Sequence, residues 1–215
     1  MIIREARPDE YPAIGELRVT AYQALGLLPE GSEYVNTLRG FGFGTDCAVL
    51  VATDETGSGI LGTITIEPFE PSSELARDDT EADVRAFAVA PHGQGQGVGR
   101  SLLQAVIERS EKRGLRCLRL CTNPVMRAAQ HLYETTGFSR TPELDWSPAP
   151  GLTLRAYELA LPILPSCSFS FGMDNWTHGL WRLFLVAPTP FTSSCEKKNR
   201  CGGAAGGTPG SSTCR

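Results

Sequence analysis

The sequence has little that would put the chain in a membrane, around a metal ion or on nucleic acid. No stretch approaches the roughly 18 apolar residues that cross a bilayer. The opening Met1-Ile2-Ile3-Arg4-Glu5-Ala6-Arg7 lacks the basic-then-apolar order of a secretory leader, so a cytoplasmic location is expected. Histidine is scarce, and His92, His131 and His178 stand at no ligand spacing. The seven cysteines form no Cys-x-x-Cys. Cys47, Cys117 and Cys121 fall in apolar segments, where cysteine serves as small core filler. No metal is expected. Gly-x-Ser-x-Gly is missing, which leaves serine hydrolase chemistry without support. A basic excess is missing too, with a net charge of −4. Residues 162–215 carry Arg182, Lys197, Lys198, Arg200 and Arg215 against Asp174 and Glu196. Residues 1–161 are therefore more acidic than the whole chain. An acidic body argues against a nucleic-acid partner and favours cationic substrates such as amines.

What is present reads as one α/β domain over residues 1–161. Ile2 and Ile3 open a strand, and a helix starts at Pro8-Asp9 with Ile14, Leu17, Val19, Ala21 and Leu25 as its apolar positions. A second helix is predicted over about Glu30 to Leu38, ending at Gly40. Cys47–Ala52 and Ile60–Ile66, joined by the turn Thr53–Gly59, predict a hairpin. A polar loop over Pro71–Thr80 leads to a strand over Asp83–Ala90. The next helix is the clearest: Val98, Leu102, Leu103, Val106 and Ile107 share one face, and Gly114 supplies a left-handed cap. Leu115–Cys121 is a strand. Asn123-Pro124 predicts a helix start with Asn as N-cap and Pro at the first position. That helix carries Ala128, Ala129, Leu132 and Tyr133 and ends at Gly137. Thr141–Pro150 reads as a loop and Leu152–Leu159 as the last strand. The expected architecture is a central mixed sheet with helices on both faces. After Pro162, prolines and the run Gly202–Gly207 break any periodicity, and residues 162–215 are expected to form a disordered tail.

The chemistry concentrates in Val89-Ala90-Pro91-His92-Gly93-Gln94-Gly95-Gln96-Gly97-Val98-Gly99-Arg100, a glycine-rich turn between a strand and a helix. Glycines let a ligand approach the backbone closely, and the helix start adds N–H groups and a positive dipole end, a setting for a diphosphate. The dinucleotide pattern Gly-x-Gly-x-x-Gly fails: counting from Gly93 or Gly95 reaches Val98 or Arg100. The terminal Gly-Lys-Ser/Thr of a phosphate-binding P-loop is absent. Gln-x-x-Gly-x-Gly remains, formed by Gln94, Gly97 and Gly99.

With Asn123, Ala128, Ala129, Tyr133, Gly137 and Phe138 following in order, the chain resembles the GNAT superfamily of N-acetyltransferases over about residues 2–161. The resemblance implies a GNAT fold and acetyl-CoA as co-substrate. It implies that Gln94, Gly95, Gln96, Gly97, Val98, Gly99 and Arg100 hold the pyrophosphate. It also implies that Phe87, Ala88 and Val89 contact the pantetheine arm through the backbone, that Asn123 reaches coenzyme A, and that Tyr133 is the general acid. His92-Gly93 departs from the bulkier residues common there. The expected partner is a small-molecule amine or a peptide amine, with no nucleic acid and no membrane, and the chain is open to pairing as a homodimer.

Each of these residues has a plainer reading beside the functional one. Tyr133 also fits a core tyrosine, and Asn123 also fits a cap alone. The general base stays open: Glu81 and Asp83 precede the cofactor-binding strand but fit two solvated acids at a strand entrance at least as well, and Glu67, at the end of the previous strand, is a third candidate. Strand alternation puts Asp83, Arg85 and Phe87 on one face. Glu143, Asp145 and Trp146 are candidates for an amine pocket. A non-catalytic acyl-CoA-binding domain on the same fold is the alternative to an enzyme.

Overall fold

The computed structural model describes residues 1–162 apart from Glu30, Ser58 and Pro150. All of them lie in one compact unit, Met1–Ser168; the second unit, Phe169–Arg215, and the expectation of a disordered tail lie outside the described residues. The strands are β1 (Ile2–Glu5), β2 (Ala48–Thr53), β3 (Ile60–Pro68), β4 (Glu81–Val89), β5 (Cys117–Thr122), β6 (Ser139–Arg140), β7 (Trp146–Ala149) and β8 (Leu152–Ala160). The helices are α1 (Tyr11–Ala24), α2 (Tyr34–Gly40), α3 (Val98–Lys112) and α4 (Arg127–Thr135). The sheet order is β1-β2-β3-β4-β5-β8-β6, with β7 paired to β8. Every pairing is antiparallel except β4 with β5. A parallel pair needs a crossover, and α3 is that crossover.

Alternation sorts the sheet into two faces. Leu50, Ala52, Ile64, Ile66, Ala82, Val84, Leu118 and Leu120 join Val98, Leu102, Leu103 and Val106 of α3 and Tyr133 of α4 in one apolar cluster. On the opposite face Thr65 accepts a hydrogen bond from Arg18 of α1 at 2.9 Å. Arg18 is fully buried, because its guanidinium also donates to the carbonyls of Leu38 and Phe41 and sits over the Phe43 ring. A buried cation of this kind is hidden from apolar periodicity, which points instead to Leu25, an exposed residue. Burial lowers the Arg18 pKa to about 10.

Three sequence expectations shift. The second helix begins at Tyr34 rather than near Glu30. The stretch Thr141–Pro150, read as a loop, contains β7, whose hairpin with β8 pairs Trp146 with Leu154. The helix expected at Asn123 begins at Arg127. Asn123 caps a turn instead: its Oδ1 accepts the Val125 N–H at 3.0 Å, and its carbonyl accepts the Met126 N–H at 3.0 Å and the Gln130 amide at 3.2 Å.

Candidate active site

β4 and β5 pair only at Glu81–Cys117, Ala82–Leu118 and Asp83–Arg119. Beyond Asp83 they part, leaving a wedge in the middle of the sheet. A bulge helps to open it. The register of β3 against β4 slips by one residue between Thr63–Ala88 and Thr65–Arg85, and Ala86 in the slipped segment has φ +48, a left-handed conformation rare outside glycine. The slip reverses alternation within β4. Phe87 and Val89 pack on the α3 and α4 side, whereas Asp83 faces the opposite side with Arg85. The expectation that Asp83, Arg85 and Phe87 share a face is therefore corrected: one extra residue in the strand moves every later side chain across the sheet.

The same bulge presents the backbone. The Ala90 N–H bonds the Leu61 carbonyl of β3 at 2.9 Å. By alternation along an antiparallel edge, the N–H groups of Val89 and Phe87 point the other way, into the wedge, where β5 supplies no partner. Ala88 is buried against β3.

The glycine loop stands at the end of β4. Gly95 and Gly97 have φ +75 and +78, and Gly97 is the residue before the first turn of α3. The first helix N–H to bond back is that of Ser101, to the Gly97 carbonyl at 3.0 Å, so the N–H groups of Val98, Gly99 and Arg100 lack intrahelical acceptors. Gln94, Gly95, Gln96, Gly97 and Arg100 are exposed around them, Val98 is anchored in the core, and the Gln96 amide braces the loop by donating to the His92 carbonyl at 2.7 Å. Gly99 is glycine for a different reason: a Cβ there would sit 3.2 Å from Leu132 and 3.4 Å from Phe87. It lets α3 close onto β4 and α4.

Tyr133 approaches the wedge from the α4 side. Its ring touches Phe87, Phe138 and Tyr157, with centroids 6.3, 5.9 and 5.8 Å away. Only 4% of it is exposed, and burial raises its pKa, with smaller contributions from the phenols of Tyr22 and Tyr157, so the phenol is held protonated. No described residue hydrogen-bonds its hydroxyl.

On the other side of the wedge lies a cavity of about 520 Å³, walled by Tyr22, Tyr34, Glu74, Asp83, Arg85 and Trp146. Asp83 is 1% exposed. Its oxygens accept the N–H groups of Leu75 (3.1 Å) and Ala76 (2.9 Å). Burial raises its pKa to about 6, against the lowering effect of those two bonds. Arg119 grips the same loop through the Leu75 carbonyl at 3.0 Å. Cys121 also lines the cavity, and burial pushes its thiol up to about 12, which leaves it inert.

The other acids fall elsewhere. Glu81 is paired with Arg119 and accepts the Arg77 N–H at 2.7 Å; it does not line the cavity. Glu67 binds Arg85 at 3.1 Å from behind the wall. Asp145 is taken by Arg140 and by the Ala156 N–H, and Glu143 is outside the cavity. Glu74 and Tyr34 give no signal in the sequence: they sit in a polar loop and a short helix, and only the fold brings them to β4. Among the described residues, no group of three or more His, Cys, Asp or Glu side chains is placed to hold a metal ion, and no helix is long and apolar enough to cross a membrane.

Comparison with known proteins agrees with this arrangement. Residues 11–138 match the acetyltransferase (GNAT) family model. The chain is similar to N-acetylaspartate synthetase of Danio rerio, at 32% identity over 82 residues, which is 38% of this chain and 29% of that protein. It is similar to ribosomal protein bS18-alanine N-acetyltransferase of Escherichia coli K12, at 39% identity over 84 residues, 39% of this chain and 57% of that protein. The chain thus spans little more than half the length of these relatives at most. In fold it is similar to an acetyltransferase of the GNAT family from Staphylococcus aureus Mu50 (TM-score 0.59, 17% identity, 75% of this chain and 99% of that one). It is likewise similar to a phosphinothricin acetyltransferase from Sinorhizobium meliloti in complex with AcCoA (TM-score 0.56, 20% identity, 74% and 88%). With a mixed sheet opened between β4 and β5, a glycine loop at the wedge and a family match over most of the described residues, the chain belongs to the acetyltransferase (GNAT) family.

Proposed function

We propose that the protein transfers an acetyl group from acetyl-CoA to a primary amine by direct attack, with both substrates bound at the β4–β5 wedge. The observation that carries this reading is the bulge at Ala86. It turns the Phe87 and Val89 N–H groups into the wedge, Tyr133 stands at one side and the Asp83 cavity opens at the other. The N–H groups from Gly95 to Arg100, those of Val98, Gly99 and Arg100 without intrahelical acceptors, suit the pyrophosphate. Main-chain groups of Phe87, Ala88 and Val89 suit the pantetheine arm. Asn123, at the end of β5, lies on the side of the wedge opposite β4 and suits a contact to the same arm.

The amine must lose a proton before its lone pair attacks. Of the three carboxylates considered from sequence, Asp83 alone lines the cavity, and a pKa near 6 suits a base at neutral pH. Asp83 takes that proton directly or through water as the N–C bond forms. The Val89 N–H stabilises the charge that develops on the carbonyl oxygen. As the C–S bond breaks, Tyr133 gives its proton to the departing sulfur and recovers one from solvent.

The names of two relatives point to different acceptors, aspartate in one and a protein alanine in the other, and neither is carried over. Incubation of the protein with acetyl-CoA and an amine panel, with mass detection of the acetylated product, tests the reading. One CoA thiol per acetylated amine is expected. Tight acetyl-CoA binding without transfer to any amine would instead favour a binding-only domain, a reading that draws on the hydrogen bonds already held by both Asp83 oxygens.

A further inference from the structure

The acceptor side of the cavity has a charge and ring pattern of its own. Arg85 donates to Glu67 at 3.1 Å and to Glu74 at 2.7 Å, and its guanidinium lies 4.7 Å from the centre of the Phe41 ring. One cation thus serves two carboxylates. Asp83 is a third, and its hydrogen-bond partners are backbone N–H groups rather than a cation. Behind the wall Arg18 is spent on the carbonyls of Leu38 and Phe41 and on Thr65. Even with Arg18 counted, carboxylates outnumber guanidiniums three to two. Arg85 is the one cationic side chain among the cavity residues, and each of its terminal nitrogens already donates to a carboxylate of the chain itself.

This pattern opposes one kind of acceptor and favours another. A substrate carboxylate would meet Glu74 and Asp83 without a free guanidinium to receive it, and like charges brought together in a recess repel strongly. A second ammonium would meet the uncompensated charge shared by Glu67 and Glu74. It would also find the rings of Tyr22, Tyr34 and Trp146, whose faces attract alkylammonium groups. Glu74 is held in place for this, because the next residue, Leu75, is fixed at its N–H by Asp83 and at its carbonyl by Arg119.

Resting on the acetyltransferase reading, we infer that the acceptor is a primary amine that carries a second cationic centre and no carboxylate, in the manner of a linear diamine. One amine reaches the wedge between β4 and β5. The other sits between Glu74 and the aromatic wall.

The test compares 1,4-diaminobutane and 1,5-diaminopentane with butylamine, pentylamine and aspartate, using the full chain and saturating acetyl-CoA. The diamines should exceed the matched monoamines in kcat/KM by about tenfold, chiefly through KM, and the margin should shrink at high salt. Glu74→Gln should bring the diamine-to-monoamine ratio towards one without altering acetyl-CoA affinity measured by calorimetry. Equal use of monoamines, or a preference for aspartate, would overturn the inference while leaving acetyl transfer intact. Failure of acetyl-CoA to bind would remove the acetyltransferase reading first. Calorimetric titration of 1,4-diaminobutane into the protein alone then decides the acceptor class: binding that Glu74→Gln abolishes supports it, and no binding ends it.

Discussion

Asp83 and Arg119 are the last partners of β4 and β5, and both reach out to the same residue, Leu75, one at its N–H and the other at its carbonyl. The point where the sheet divides is therefore also the point where the loop before β4 is tied down. A carboxylate and a guanidinium placed at a fork in the sheet fix the cavity wall and mark where the wedge begins. Breaking either tie loosens the hold on Leu75, the neighbour of Glu74.

Ionisation of Asp83 should act in opposite directions on stability and on catalysis. Its folded pKa, about 6, lies above the ordinary 3.8 because burial disfavours the charge. The folded chain then holds that proton more tightly than the unfolded one. The stabilisation is fully present below the ordinary carboxylate range and is lost as pH rises through 6. A shift of this size corresponds to roughly 2–3 kcal/mol. Relative to Asp83→Asn, the native chain should lose stability between pH 4 and pH 7, while kcat/KM rises with an apparent pKa near 6. Urea unfolding of both chains across that range, beside a pH–rate profile, checks both signs. A pH-independent stability difference would mean that Asp83 titrates as an ordinary surface acid.

Tyr133 separates packing from proton donation. Tyr133→Phe keeps the ring contacts with Phe87, Phe138 and Tyr157, so the melting temperature should hardly move. Loss of a general acid costs about 10²–10⁴-fold, and kcat should fall within or slightly short of that range while the KM for acetyl-CoA stays put. Tyr133→Ala should instead cost about 3–5 kcal/mol through the cavity it leaves. Pre-steady-state measurement of the chemical step together with thermal melts distinguishes the two roles. An unchanged chemical rate in Tyr133→Phe would reduce the residue to packing.

Gly97 and Gly99 should fail for different reasons. At Gly97 (φ +78) nothing lies within 4 Å of an added Cβ, so Gly97→Ala pays only for the left-handed backbone, about 1 kcal/mol or somewhat more. If the loop holds the pyrophosphate, Gly97→Trp should remain folded and lose acetyl-CoA binding. Gly99→Val meets Leu132 and Phe87 at 3.2 and 3.4 Å and should lower the melting temperature as well, because α3 can no longer close on α4. Calorimetry of acetyl-CoA binding beside melting curves for each variant reads this out. Full acetyl-CoA affinity in a folded Gly97→Trp chain would rule out the pyrophosphate assignment.

A chain ending at Ser168 should fold with the melting temperature of the full chain and keep its acetyl-transfer rate. The last strand ends at Ala160, and the Leu161 N–H extends its ladder with β5 by bonding the Arg116 carbonyl at 2.8 Å. Circular dichroism melts and product formation on the shortened chain check this. An insoluble or inactive product would show that residues beyond 168 complete the fold.

By itself the sequence determined the order of elements, the apolar face of α3 and the glycine loop. These are local matters: Val98, Leu102, Leu103 and Val106 recur at helical spacing, and Gly95 and Gly97 stand where the backbone takes positive φ. Tyr133 and Asp83 were visible as residue types at suggestive places. Their surroundings were not, because each is defined by partners distant in sequence, Tyr157 for the one and the parting of β5 for the other. The tertiary structure decided what alternation could not. The bulge at Ala86 leaves no mark in residue type, since alanine is no signal for a left-handed φ, yet it sends Phe87 to the α4 side and leaves Asp83 and Arg85 on the other. Asn123 has the residue type of a helix cap, but it closes a turn because its oxygen is taken by Val125 before the helix begins. Arg18, polar and fully buried, was beyond any pattern of hydrophobicity. Its place depends on three acceptors, at Leu38, Phe41 and Thr65, that only the folded chain assembles around it.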